Sequence, residues 1–174
     1  MDDALLVQEC LKGKSRAQKA LFDKFAPKML AVCYRYMKDK EESEDALQIS
    51  MVKVFQKLDA FKQEGALEGW IRRIVVNTCL DQLRRGQKFA FDYRIDDVSY
   101  KVEIKEEVLS NIHAADLLAL IGSMPPGYRM VFNLFAIEGY SHQEIAQQLQ
   151  ISENTSKTQY LRARAYLKNR IENK

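Results

Sequence analysis

The side chains with chemistry to offer fall into two stretches. Residues 139–167, GYSHQEIAQQLQISENTSKTQYLRARAYL, carry Asn154, Thr155, Lys157, Thr158, Arg162 and Arg164 in close succession. Residues 67–85, LEGWIRRIVVNTCLDQLRR, carry Arg72, Arg73, Asn77, Arg84 and Arg85. Guanidinium and ammonium groups neutralise phosphates, and Asn, Thr and Arg hydrogen-bond to base edges. Both stretches therefore offer the chemistry of nucleic-acid recognition. The sequence holds no nucleophile–base pair, no glycine-rich phosphate loop and no cluster with metal-ligand spacing. No catalytic residue, metal or cofactor is expected, and an enzyme is the least favoured class. Cys10, Cys33 and Cys79 are far apart without a CxxC and read as buried small hydrophobes. His113 and His142 lack neighbours that would complete a metal site.

The elements that must position these groups are helical. Ser141 followed by Glu144 makes S-x-x-E, a capping box at a helix start. Ile145, Ala146 and Leu149 recur at helical spacing, and Ser152 can cap a second helix from Glu153. On that second helix Ser156, Tyr160, Ala163 and Leu167 share one face. Asn154, Thr155, Thr158, Leu161 and Arg162 lie opposite, with Lys157 on the flank. This is the pattern of a helix-turn-helix whose second helix enters the major groove. The connecting residues Leu149-Gln150-Ile151-Ser152 contain no glycine, so Gln150 must take the turn conformation without glycine's freedom. In the 67–85 helix, Leu67, Trp70, Ile71, Ile74, Val75 and Thr78 form an apolar stripe expected to be buried. Its arginines and Asn77 lie off that stripe, where a nucleic-acid backbone or plain solvent could meet them.

The rest of the chain supplies scaffolding. Asp2 or Asp3 starts a first helix that Gly13 ends. Ser15 starts a second, lined by Leu21, Phe25, Met29, Cys33 and Tyr36, which Pro27 should kink or split. The acidic run from Lys40 to Asp45 suits the first turn of a third helix, with Leu47, Met51, Val54, Phe55 and Leu58 on its inner side. Residues 59–65 read as a loop. Residues 86–111 lose helical periodicity and read as a linker. The pattern returns from Ile112 through Leu117, Leu118, Leu120 and Ile121 to Gly122. Pro126 fits a first helical position, and Val131, Leu134 and Phe135 make a helix that Gly139 stops. The expected fold is all-α: two small helical bundles joined by a flexible linker, the C-terminal one a helix-turn-helix, winged-helix-like domain. The expected limits are 1–87, 88–111 and 112–174.

Net charge over the 174 residues is +3, too small to identify a nucleic-acid partner by itself. No apolar run approaches the ~20 residues that span a bilayer, and the N-terminus MDDALLVQEC lacks a basic leader region. A cytoplasmic protein without membrane insertion is the expectation.

Two separated segments match one family together. Glu42-Ser43-Glu44-Asp45-Ala46-Leu47-Gln48 is similar to an acidic D-A-E-D-x-x-Q run. Trp70, Arg73, Ile74, Asn77, Asp81, Arg84 and Arg85 fill every position of W-x-x-R-I-x-x-N-x-x-x-D-x-x-R-R. Further on, Met124-Pro125, Arg129, Val131-Phe132, Glu138-Gly139, Ser141, Glu144-Ile145-Ala146, Ile151-Ser152, Thr155 and Lys157-Thr158 follow in the family's order. The chain resembles the extracytoplasmic-function (ECF) sigma factors, the small two-domain branch of the bacterial sigma-70 family, from about Leu5 to Leu167. The resemblance implies a protein that binds core RNA polymerase and directs promoter-specific initiation. It implies that Asp45 and Gln48, with the apolar stripe beneath them, dock on the clamp coiled coil of the polymerase largest subunit. It implies that the 59–69 loop and the helix to Arg85 melt and read the −10 element. There Asn77 is foremost, Arg72, Arg73, Arg84 and Arg85 meet phosphates, and Trp70 belongs to the core. It implies −35 reading through Thr155, Lys157, Thr158, Leu161 and Arg162, a connector that threads toward the polymerase channel, and an anti-sigma factor as a further partner. Ser156 departs from a usually apolar position, and Gln159 and Val76 from often-basic ones. The rival reading is a dimeric helix-turn-helix regulator acting without a polymerase contact, which leaves the 42–85 pattern without a purpose.

Overall fold

A computed structural model of the chain describes residues 2–37, 39–62, 64–86 and 114–172. The chain divides into two compact units, residues 1–86 and 87–174. The expected linker, 88–111, lies outside the described residues.

In the first unit, helices α1 (Asp3–Leu11), α2 (Ser15–Met37), α3 (Lys40–Gln56) and α4 (Leu67–Arg85) surround one apolar core, with a 3-10 turn at Leu58–Ala60. Leu21, Phe25, Met29 and Cys33 of α2 meet Met51 and Val54 of α3 and Ile71, Val75 and Cys79 of α4, all at most 2% exposed. Each side chain of this size contributes about 1.5–3 kcal/mol on leaving water. Cys33 and Cys79 lie thiol to thiol in that core. The side chain of Asp39 caps α3, accepting from the Glu42 N–H at 3.0 Å.

Pro27 does not split α2: the helix runs unbroken past it. The proline is exposed, and Phe25, Ala26 and Met29 around it are buried. The missing N–H thus falls on the solvent side, and core packing on both flanks holds the helix through the gap.

The second unit contains α5 (Ala114–Ser123), α6 (Pro126–Phe132), a π-helical turn (Asn133–Ile137), α7 (His142–Leu149) and α8 (Glu153–Glu172). Residues 112 and 113, expected to open α5, lie outside the described residues. Pro126 takes the first helical position of α6, as its fixed φ favours. The sequence pattern does not reveal the π turn. There the Glu138 N–H reaches back five residues to the Asn133 carbonyl at 2.9 Å, and Gly139 then leaves the helix at φ 76°. The wide turn buries Leu134 and leaves Phe135 half-buried.

Ile121, Met124 and Phe132 close over Ala163 and Leu167 of α8 to form this unit's core. The Tyr166 hydroxyl donates to the Ser123 carbonyl at 2.9 Å, tying α8 to the end of α5. Arg129, 6% exposed, donates to the Gly122 carbonyl at 3.3 Å, and burial pulls its pKa down. The described residues are helical or irregular and contain neither a strand nor a β wing.

Candidate nucleic-acid interface

The capping box at the start of α7 is complete. The Ser141 hydroxyl accepts from the Glu144 N–H at 3.2 Å, and the Ser141 N–H donates to the Glu144 carboxylate at 2.8 Å. Gln150 closes the helix in the left-handed region, φ 56° and ψ 44°, as the glycine-free turn requires. Ser152 then caps α8: its hydroxyl accepts from the Thr155 N–H at 3.0 Å and pairs with the Thr155 hydroxyl at 2.8 Å.

That geometry fixes what α8 presents. Ser156, Gln159, Ala163 and Leu167 are buried and Tyr160 half-buried, so the inner face is the expected one with Gln159 added. Asn154, Lys157, Thr158 and Leu161 are exposed and form the outward ridge. Thr155 and Arg162 sit half-buried on its shoulder. Thr155 spends its hydroxyl on Ser152. Lys157 pairs with Glu153 at 2.7 Å, and that bond holds the Glu153 carboxyl below its ordinary pKa.

On α4, Arg73, Asn77, Arg84 and Arg85 are exposed and Arg72 half-buried. At ~100° per residue Arg73, Asn77 and Arg84 fall on one face, with Arg72 and Arg85 on either flank. Asp81 holds Arg84 at 3.5 Å and Lys53 of α3 at 3.9 Å. Trp70 corrects the sequence reading. It is half-buried and lies on the same outward face as Arg73 and Asn77, while Leu67, Ile71, Val75 and Thr78 fill the core. Its ring packs on Phe61 at 5.4 Å instead. The two rings, with Lys62, Glu64, Gly69 and Arg73, line a cavity of about 420 Å³. A stripe drawn from apolarity alone could not separate an indole facing the core from one lining a cleft.

On α3, Asp45 and Gln48 are exposed, and with them Ile49 (43%) and Val52 (55%). The spacing 45, 48, 49, 52 makes one continuous outward ridge. The stripe beneath, Leu47, Met51 and Val54, is buried in the unit's own core and has no surface left for a partner. The sequence signal for Ile49 and Val52 was present as two apolar residues out of phase with the inner stripe.

Residues 21–89 match the family model for sigma-70 region 2, and residues 114–167 match that for sigma-70 region 4. The chain belongs to the sigma-70 family. Among similar proteins, the RNA polymerase sigma-H factor of Pseudomonas aeruginosa is 26% identical, over 93% of this chain and 90% of its own length. The ECF RNA polymerase sigma factor SigM of Mycobacterium tuberculosis is 28% identical, over 95% and 82%. The ECF RNA polymerase sigma-E factor of Haemophilus influenzae is 25% identical, over 99% and 96%. Within the family the chain is an extracytoplasmic-function sigma factor, which binds core RNA polymerase and directs promoter-specific transcription initiation.

Two solved structures share the fold of this sigma factor. One is CnrH in complex with the cytosolic domain of CnrY, with TM-score 0.53 and 23% identity over 98% of this chain and 97% of that one. The other is the sigma factor RpoE in complex with the anti-sigma factor NepR from Bartonella quintana, with TM-score 0.53 and 20% identity over 87% and 94%. No helix among the described residues of this sigma factor is long and apolar enough to cross a membrane.

Proposed function

We propose that this sigma factor divides promoter recognition among three surfaces. The α3 ridge of Asp45, Gln48, Ile49 and Val52 docks on core polymerase. The Phe61–Trp70 cavity and the Arg73–Asn77–Arg84 face of α4, flanked by Arg72 and Arg85, take the melted −10 strand. The ridge of α8 reads the −35 element through Thr155, Lys157, Thr158, Leu161 and Arg162, with Asn154 at its N-terminal end. The domains that carry these tasks are 1–87 and 112–174, joined by 88–111.

The observation that carries this reading is the uncovered apolar pair Ile49 and Val52 beside Asp45 and Gln48. A regulator that touched DNA alone would have no use for such a ridge on a unit remote in sequence from its helix-turn-helix. The cavity supports the second task. Extruding a base costs a few kcal/mol, and an aromatic-walled, cation-rimmed cleft returns that energy by stacking and phosphate contact. On α8, the Thr155 methyl suits the C5-methyl of thymine, and Arg162 suits guanine or a phosphate.

Recognition is the protein's whole contribution, and the polymerase supplies the chemistry. The cytoplasm, where polymerase and promoters meet, is its place of action. An anti-sigma factor is a further partner, as it is for RpoE of Bartonella quintana. Run-off transcription with core polymerase on a host genomic-fragment library tests the reading. Start sites that require this protein support it. Failure to bind core, with tight binding to a bare palindromic duplex, would replace it by the dimeric-regulator reading.

A further inference from the structure

The first turn of α8 is held by a contact the family pattern does not call for. Ser156, standing at a usually apolar position, is 0% exposed, and its hydroxyl lies 2.9 Å from His142 Nδ1 on α7. The imidazole stacks on Phe135 of the π turn, ring centres 4.2 Å apart and planes 13° from parallel. Tyr160, one turn beyond Ser156, closes the cluster: it meets Phe135 at 4.5 Å and the His142 edge at 5.9 Å. Two elements, α7 and the π turn, thus grip the inner face of α8 beside its outward residues Lys157 and Thr158. The imidazole satisfies the buried Ser156 hydroxyl across the α7–α8 contact.

We propose that His142 is a positioning residue for −35 reading: through its hydrogen bond to Ser156 and its stack on Phe135, it sets the tilt of α8 at which Thr155, Thr158 and Arg162 reach base edges. The inference rests on the reading of α8 as the −35 reader. Direct readout depends on hydrogen bonds of about 2.7–3.2 Å, so a small displacement of the helix removes discrimination while leaving phosphate attraction in place. His142 itself is half-buried against Ser156 and Phe135.

The test uses the full chain with core polymerase in run-off transcription. One template has an intact −35 element and the other has its −35 bases replaced; the ratio of the two yields is the readout. Ser156→Ala removes the bond with a residue that favours helix, and His142→Phe keeps the stack without the bond. Each is expected to lower the ratio about fivefold, the effect of one hydrogen bond. His142→Asn, whose amide can occupy the Nδ1 position, is expected to restore it to within about twofold. Ser156→Ala is expected to add nothing in the His142→Phe background, since both act through one bond. Arg162→Ala reports separately on the α8 reading. If it collapses the ratio while Ser156→Ala and His142→Phe leave it intact, the positioning role is overturned and the −35 reading stands. If Arg162→Ala also leaves it intact, both fall. An equal drop on both templates would mark a general loss of folding and would also overturn the proposal.

Discussion

Lys157 is tied to Glu153, one turn back on α8, at 2.7 Å, and both side chains are about half exposed. The cation proposed to meet promoter DNA is therefore partly neutralised by its own helix. An exposed pair of this kind contributes less than about 1 kcal/mol to folding, so it can be removed cheaply. Glu153→Gln is expected to leave the thermal midpoint nearly unchanged and to tighten promoter binding roughly threefold at low salt, through the added net positive charge. Lys157→Ala is expected to reduce the slope of log affinity against log salt by about one. A fluorescence-anisotropy salt titration of holoenzyme on a promoter fragment checks both.

Trp70 and Phe61 wall a cleft rather than a core, which separates two quantities that a core tryptophan would couple. Trp70→Ala is expected to cost about 1–2 kcal/mol of stability, less than the ~3–5 of a fully buried ring. It is expected to slow promoter opening about tenfold, the worth of one lost stack. Asn77→Ala should impair opening with no stability loss beyond about 0.5 kcal/mol. Thermal melts paired with permanganate reactivity at the −10 thymines read the two effects.

Ile49 and Val52 form the apolar part of the α3 ridge. Val52→Glu places a charge where an apolar contact is proposed and disturbs nothing inside the unit, since Val52 is 55% exposed. Binding to core polymerase is expected to weaken at least tenfold, with the melting curve unchanged. Gel filtration with purified core decides it.

His142 gives the second unit a pH dependence. Desolvation, and then the Lys157 ammonium, hold its imidazole below the ordinary value of 6.5, with Glu153 pulling the other way. As pH falls, the unfolded chain takes up the proton before the folded one does. Stability is therefore full above about pH 6.5, is lost progressively below it, and levels off once the folded ring is protonated. Melting midpoints of the wild type should drop between about pH 7.5 and 5.5 by more than those of His142→Phe.

Gln150 shows how far local sequence logic reaches. A four-residue turn between two capped helices, without glycine, forces one residue into left-handed backbone, and Gln150 is there at φ 56°. Gln150→Gly is expected to stabilise the unit by about 0.5–1 kcal/mol, measured by urea titration. The capping box, the inner face of α8 and the start of α6 at Pro126 were readable for the same reason: each depends on neighbours within about four residues. Trp70, the continuity of α2 through Pro27 and the π turn were not. Each depends on packing that the local pattern does not contain: Phe61 and the cleft for Trp70, flanking packing for Pro27, the rings of His142 and Tyr160 for Phe135. The ridge of Ile49 and Val52 was legible as residue types, but the phase that turns it outward was settled by α2 and α4 together.

The division of α8 into a buried row and an outward ridge has a consequence for how such a protein diverges. Substitutions at Asn154, Lys157, Thr158 or Leu161 touch no core contact and cost little folding energy, since exposed changes mostly lie within about 0.5 kcal/mol. With this ridge as the proposed −35 reader, a duplicated copy can acquire a new operon set in a few mutational steps while its scaffold stays fixed. Ser156 and His142 are linked differently, because losing either strands the other's polar group. They are expected to be inherited together or exchanged together, and paired variation at these two positions would mark lineages whose helix sits at a different angle in the groove.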